Sequence, residues 1–324
     1  FSPFRFPSNY VLRLENEMTK HNFRTQQRPD SGSNERINAS EQDTIITNPK
    51  QNVSVKDDVA DSNSPANSHN LADSRTVLSL QNVKVASRLS VEGLRAKKGE
   101  CVHIIGPNGA GKSTLLLTLA GLIDAEKGTV MLLGKPMNDW SLATLASVRT
   151  LLAQQSESGF HLSVKEYLSF YATAQQDELI PPVLEKALEV SRFLNKILTQ
   201  LSGGERQRVE ICRSLLQIWP QLERGEGIAF LDEPLQGLDI RHQYALASLV
   251  KFLCDKGNTL LMTSHDIALS ANYCDSLWLM QKGRMVAFGK PQEVATQTNL
   301  ESVFECHFAI SKHDNFLEIQ VCAP

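Results

Sequence analysis

An α/β fold is predicted for this 324-residue chain by three observations. From Thr76 onward, short apolar and β-branched runs alternate with stretches of helical spacing. One run, Cys101 to Ile105, passes through a glycine-rich turn straight into an apolar helix that begins near Thr114. Two others, "GIAFL" and "NTLLMTS", deliver polar residues at their C-terminal ends, where open parallel sheets gather ligands.

Composition bounds what such a chain does. With 41% hydrophobic residues and a formal net charge of -3, it can bury one substantial core and a second small lobe. The balance of 33 Lys and Arg against 36 Asp and Glu gives no case for nucleic acid as a partner, which needs a clustered basic excess. No apolar run approaches the roughly 20 residues of a membrane-spanning helix, so a membrane role depends on another subunit. Cys101, Cys212, Cys254, Cys274, Cys306 and Cys322 include no CxxC pair. They read as buried free thiols in a reducing cytoplasm, not as a zinc framework or a disulfide scaffold.

Residues 1–75 are rich in Asn, Ser, Asp and Gln, and from Arg24 to Arg75 there is no Phe, Tyr or Trp and one Leu. Too little apolar surface is on offer to offset ordering entropy, so a disordered polar extension is expected. It starts at Phe1 with no apolar h-region, which speaks against a secretory signal and suggests a non-native upstream segment. The ordered domain is expected over residues 76–324, and no internal repeat is visible.

The first functional motif follows the strand Cys101 to Ile105. Gly106, Pro107, Asn108, Gly109, Ala110, Gly111, Lys112 and Ser113, followed by Thr114, spell G-x-x-x-x-G-K-[ST] between strand and helix. Glycines allow the backbone to fold into a nest of N–H groups, and the helix N-terminus adds partial positive charge, so the loop suits a chain of phosphates. Lys112 is expected to reach the β- and γ-phosphates of a nucleotide, and Ser113 to ligate Mg²⁺.

The second motif ends the strand Ile228 to Leu231 with two carboxylates, Asp232 and Glu233. Asp232 is expected to hold Mg²⁺ through its water shell, and Glu233 to orient the water that attacks the γ-phosphate. The third strand, "NTLLMTS", places His265 at the same end of the sheet. An imidazole there can donate a hydrogen bond to the γ-phosphate.

A further stretch, "LSGGERQRV", opens a helix. Ser202 and Glu205 form S-x-x-E, a capping box, and Val209, Ile211, Cys212, Leu215 and Leu216 follow at helical spacing. Gly203 and Gly204 are not explained by a cap, because each weakens the first turn by up to about 1 kcal/mol relative to alanine. Bare backbone at a helix N-terminus is a second anion site. Either the chain binds two nucleotides, or a second copy completes each site.

In combination and order, "GPNGAGKST", a glutamine in "LLAQQ", "LSGGERQ", "FLDEP", "GLD" and "SHD" resemble the ATP-binding subunits of ABC transporters, over about residues 77–324. The resemblance implies a P-loop NTPase of the ABC type: a RecA-like core, an antiparallel β subdomain and a helical signature subdomain at about 156–212. It implies a homodimer packed head to tail, in which Ser202, Gly203 and Gly204 of one copy contact the γ-phosphate of ATP held by the other. It also implies Mg²⁺, two transmembrane permease subunits, and a place at the cytoplasmic face of the bacterial inner membrane. The family's glutamine, which contacts Mg²⁺ and couples to the permease, corresponds to Gln154 or Gln155, and the apolar-apolar-x-Gln frame favours Gln154. Asp239 matches the acidic residue that lies across the dimer interface, while Gly237 stands where the family commonly has Ser.

Two departures narrow the reading. The family usually stacks adenine on an aromatic residue after the first strand, yet "NVKVASRLSVEGLRAKKGE" contains none, leaving an aliphatic side chain or the plane of Arg88. Weak base discrimination is the expected consequence. The stretched connector "LLQIWPQLERGEGIAFLDEP" and the tail "GKPQEVATQTNLESVF" are most similar to the subunits that energise vitamin B12 import, served by a periplasmic binding protein, with haem and ferric-siderophore importers as the alternative. The final segment, "HFAISKHDNFLEIQV", is expected to form a β-hairpin turning at Asp314-Asn315.

Overall fold

The computed structural model describes residues 75–153, 161–172, 178–314 and 316–322. The expected extension as far as position 74, both candidate glutamines, Gln154 and Gln155, and Asn315 lie outside the described residues.

Strands β1 (Thr76–Val85) and β2 (Leu89–Lys97) pair antiparallel before the chain enters β3 (Cys101–Ile105) and helix α1 (Lys112–Leu119). It returns through β4 (Lys127–Leu132) and β5 (Lys135–Pro136), giving an antiparallel sheet in the order β2-β1-β4-β5. After α2 (Leu142–Val148), strand β6 (Arg149–Leu152) starts the far edge of a second sheet. A helical stretch follows: α3 (Val164–Ser169), α4 (Pro182–Leu188), α5 (Gly203–Gln217) and α6 (Trp219–Arg224). Strands β7 (Ile228–Leu231), β8 (Thr259–Ser264), β9 (Ser276–Gln281) and β10 (Arg284–Gly289) complete the second sheet, with α7 (Ile240–Asp255) and α8 (Ile267–Tyr273) between them. Its order is β10-β9-β3-β8-β7-β6, and every neighbouring pair is parallel except β9 with β10.

Covering both faces of this sheet explains why its strands are continuous apolar runs. Side chains alternate across a strand, so Val102, Ile104, Phe230 and Leu261 pack with α1 and the antiparallel sheet. Ala229, Leu231, Leu260 and Met262 pack instead beneath α5, α6 and α7. Phe230 and Leu231 are fully buried, each contributing about 1.5–3 kcal/mol by area removed from water.

Helix α5 forms as its sequence asks. The Ser202 backbone N–H donates to Glu205 Oε2 at 3.0 Å, and the Glu205 N–H to Ser202 Oγ at 3.3 Å, while Val209, Ile211, Cys212, Leu215 and Leu216 bury the inner face. The long connector after it is a helix of its own. α6 buries Trp219 and Leu222 and stops at Gly225, whose φ of 70° and close approach to the Lys256 carbonyl leave no room for a side chain.

The C-terminal region adds α9 (Pro291–Val294), α10 (Gln297–Phe304) and the hairpin of β11 (Phe308–His313) with β12 (Phe316–Val321). His313 pairs with Phe316, which leaves a two-residue turn starting at Asp314, in the left-handed conformation such turns require. Asn272 of α8 ties the hairpin down, its side chain bonding both the N–H and the carbonyl of Leu317 at 2.8 Å. The cysteines depart from expectation. Cys101, Cys212 and Cys254 are buried, but Cys274 and Cys306 are half-buried and Cys322 is exposed, because the last hairpin presents its end to solvent.

Candidate active site

Register gathers the predicted groups. β3 aligns Ile105 with Ser264 of β8, and β7 aligns Leu231 with Met262 of the same strand. The phosphate loop, the acid pair and His265 therefore leave adjacent parallel strands at one end of the sheet.

The loop's shape rests on two glycines. Gly106 has a φ of 155°, and a Cβ there would run into the Met280 carbonyl; Gly111, at φ 96°, is the N-cap of α1 and lies against the Arg88 carbonyl. Inside the loop, the Lys112 ammonium donates to the carbonyls of Gly106 at 2.9 Å and Pro107 at 3.2 Å. Burial pulls its pKa below the ordinary lysine value, and the carboxylates of Glu233 and Asp232 oppose that shift.

The acid pair is held by a residue that the sequence reading did not single out. Buried Thr263 donates its hydroxyl to Asp232 Oδ1 at 2.7 Å and accepts the Glu233 backbone N–H at 2.7 Å. Ser113 Oγ donates to the same Asp232 oxygen at 3.1 Å. Glu233 sits at φ 48°, a left-handed conformation that costs a non-glycine residue about 1–3 kcal/mol. Buried Gln207 of α5 stabilises that bend by donating to the carbonyls of Glu233 at 3.4 Å and Pro234 at 3.2 Å. His265 Nε2 meets Glu233 Oε1 at 2.8 Å.

A cleft of about 620 Å³ opens over these groups. Asn108 to Thr114 and Glu233 line it, together with Ser87, Arg88, Lys282 and Gly283. Gly106 and Pro107 lie behind it as the Lys112 acceptors, and Asp232 and His265 are joined to it through Ser113 and Glu233. Hard oxygens at Ser113 and Asp232 suit Mg²⁺, which is held by few protein oxygens alongside substrate phosphates. Among the described residues no cluster of three or more His, Cys, Asp or Glu side chains forms a metal cage, as that mode of binding allows.

Ser202, Gly203, Gly204 and Asp239 are not part of this cleft. The two glycines differ: a Cβ on Gly204 would come 2.8 Å from the Gly237 carbonyl, whereas one on Gly203 would meet open space. Gly237 is itself at φ 74°, a left-handed conformation that favours glycine. Asp239 caps α7, accepting the His242 N–H at 2.9 Å and bonding its ring Nδ1 at 2.8 Å. The far ring nitrogen of His242 accepts from Arg208 of α5 at 2.9 Å, joining the signature helix to Asp239. Two functional candidates, Thr263 and Lys282, have no local signal; strand register exposes the first and a hairpin turn the second.

Comparison with known proteins bears on the family. Residues 89–236 match the family model described as ABC transporter. The chain is 37% identical over 235 residues to the vitamin B12 import ATP-binding protein BtuD of Escherichia coli, covering 72% of this chain and 93% of that protein. Among solved structures, cbiO1 of Clostridium perfringens, part of the ABC transporter complex cbiONQ, superposes with a TM-score of 0.56 at 27% identity, covering 70% of this chain and 94% of that one. A dimeric ATP-binding cassette in a post-hydrolysis state, bound to ADP and Pi, gives a TM-score of 0.54 at 27% identity, covering 66% of this chain and 98% of that one. The chain therefore belongs to the ABC transporter family as one of its ATP-binding, ATP-hydrolysing subunits.

Proposed function

We propose that this chain energises the import of vitamin B12 through a separate membrane permease. The observation that carries this reading is the 37% identity that extends over 93% of the Escherichia coli vitamin B12 import ATP-binding protein. Two copies close head to tail on two ATP molecules, so that Ser202, Gly203 and Gly204 of one copy complete the cleft of the other. The capping bond supports this role for Ser202, since it uses an oxygen lone pair and leaves the hydroxyl proton to donate.

Within each site, the loop amides and Lys112 bind the β- and γ-phosphates. Ser113 and Asp232 would hold Mg²⁺, with Gln154 as a further ligand, and the ion when bound would supply charge neutralisation at the phosphates. Glu233 accepts a proton from the attacking water, and His265 donates its ring N–H toward the γ-phosphate once nucleotide is bound. Asp239 of one copy lies across the interface from the other's site. The γ-phosphate favours the closed dimer because only that state contacts it from both sides, and such differential affinity is what shifts the equilibrium.

Among the described residues no helix is long and apolar enough to cross a membrane. In this reading, contact with the bilayer runs through the permease pair at its cytoplasmic face. The docking surface lies around Gln154 to Tyr167, at the start of a helical subdomain expected at about 156–212. The Tyr167 hydroxyl bonds both carboxylate oxygens of Glu210 on α5 at 3.1 Å, so a push on α3 is transmitted to the signature helix. A periplasmic binding protein delivers cargo to the permease. Uptake of labelled cobalamin, haem and ferric siderophore in a deletion strain tests the reading. Loss of cobalamin uptake alone, restored by the wild-type gene and not by the Glu233→Gln variant, is expected; unchanged cobalamin uptake overturns it.

A further inference from the structure

The start of α5 is fastened to the segment between β7 and α7 at three places. Gly204 lies against the Gly237 carbonyl, Gln207 donates to the carbonyls of Glu233 and Pro234, and Arg208 Nη1 donates to His242 Nε2 at 2.9 Å. The last differs in kind, because its acceptor can take up a proton. His242, 8% exposed, sits in the first turn of α7 with its Nδ1 2.8 Å from Asp239 Oδ2. An ionised carboxylate only accepts and a guanidinium only donates, so the ring here is neutral, with its proton on Nδ1 and its lone pair on Nε2. Arg208 is held from other sides as well: Nη1 also donates to the Leu188 carbonyl at 2.9 Å, and the guanidinium lies 5.0 Å from the Phe193 ring centre. The remaining charged neighbours come from α4 and α7. Glu189, just past α4, brings Oε2 to 3.9 Å from His242 Nε2, and it pairs with Arg192 at 2.9 Å and with Arg241. Lys186 and Tyr244 line a small pocket with the imidazole.

We infer that His242 is a positioning residue: its neutral ring holds Asp239 and the signature helix together as one face toward the second copy, and its protonation parts them. This rests on the head-to-tail arrangement proposed above. The Asp239 side chain is 66% exposed, so it can reach outward while the ring holds it from behind. A proton on Nε2 would face the Arg208 N–H at 2.9 Å, and repulsion between two cations would replace a hydrogen bond. Glu189 is the carboxylate on that side of the ring, so the imidazolium is drawn to the end of α4 and Arg208 is released. Asp239 stays ionised through this change, since the His242 backbone N–H and then its ring hold the carboxyl below 3.8. Ser202 to Gly204 and Asp239 then meet the second copy as two separate parts. Ordering them on closure costs entropy that the locked form has already lost.

The test measures dimerisation in Mg-ATP by analytical ultracentrifugation, in full-length Glu233→Gln chains that carry His242, His242→Gln or His242→Phe. Each is measured at about pH 8 and about pH 6, which bracket the usual range of imidazole titration. Glutamine has a donor and an acceptor but takes up no proton in this range, so H242Q should dimerise like the His242 chain at the higher pH. On going to the lower pH, the His242 chain should lose about tenfold more affinity than H242Q, the scale of one hydrogen bond to a charged group. H242F has neither donor nor acceptor and should dimerise weakly at both pH values, with the small pH dependence of H242Q. His265 and every other titrating group are common to the three chains and cancel in the comparison. Absence of a dimer in all three overturns the head-to-tail arrangement, and the role of His242 with it. Dimers that respond to pH alike with His242 and with Gln overturn the role of His242 alone. Where thermal melts show that one variant has lost its fold, the pH response of the other against the His242 chain decides.

Discussion

His265 Nε2 lies 2.8 Å from Glu233 Oε1. An ionised carboxylate can only accept, so Nε2 carries the proton and the ring is turned by the residue that handles the water. Glu233 is held in turn by Thr263 at its N–H and by Gln207 at its carbonyl. Its position is thus set by three residues from two other segments of the chain, the end of β8 and helix α5.

Replacing Glu233 by Gln keeps the volume and an acceptor for His265 while removing the base. Turnover should fall by about 10²–10⁴-fold with ATP binding retained, and the dimer should accumulate closed. Steady-state kcat, equilibrium nucleotide binding and size-exclusion chromatography in Mg-ATP check the three parts. Wild-type turnover in this variant would remove Glu233 from its role.

Much of this site was legible because it is local in sequence. The phosphate loop needs a strand, a glycine-rich turn and a helix in succession, and "CVHIIGPNGAGKSTLLL" shows all three. Leu231 and Ser264 end apolar runs, so the acids and His265 fell at the correct end of the sheet. Thr263 looked like one more strand residue. Its meaning comes from the register of β7 on β8, which pairs segments about 30 residues apart and leaves no mark in either one. Lys282 is similar, since nothing in "QKGR" shows that its turn abuts Arg88.

Thr263 offers a test of that hidden bond. Valine has the same shape without the hydroxyl, so Thr263→Val removes one donor from Asp232 and the hydroxyl that accepts the Glu233 N–H. Stability should drop by about 1–3 kcal/mol, the typical penalty for a buried group left unsatisfied. Activity should fall further than stability alone predicts, because Glu233 loses its anchor. Thr263→Ser should restore both, by thermal melt and by kcat; rescue of stability without kcat would separate the anchor from the chemistry.

Asp239 combines a cap with its proposed interface role. The His242 backbone N–H, and then its ring, hold the Asp239 carboxyl below its usual value of 3.8. A depressed folded-state pKa means the stabilisation is complete above the unfolded value, near pH 4, and is lost as pH falls through the lower native value. Asp239→Ala should cost about 0.5–2 kcal/mol at neutral pH, whereas Asp239→Asn, a comparable cap, should keep most of the stability. Melting curves of wild type and D239N should converge as pH drops below about 4. Divergence there would show that the carboxylate is not what stabilises α7.

The signature glycines make opposite predictions from adjacent positions. Gly204→Ala would push a methyl to within 2.8 Å of the Gly237 carbonyl, so the variant should melt early whatever its nucleotide does. Gly203 has nothing within 4 Å of its would-be Cβ, and its neighbours give no reason for glycine. Alanine there should leave the monomer as stable or stabilise it by up to about 1 kcal/mol, since it is the better helix former. If bare backbone at Gly203 is kept for the phosphate of a second copy, Gly203→Ala should weaken ATP-dependent dimerisation and turnover in a protein that melts no lower than wild type. A Gly203→Ala chain that dimerises and hydrolyses ATP like the wild type would leave the glycine with no partner in trans, and the head-to-tail site would fail with it.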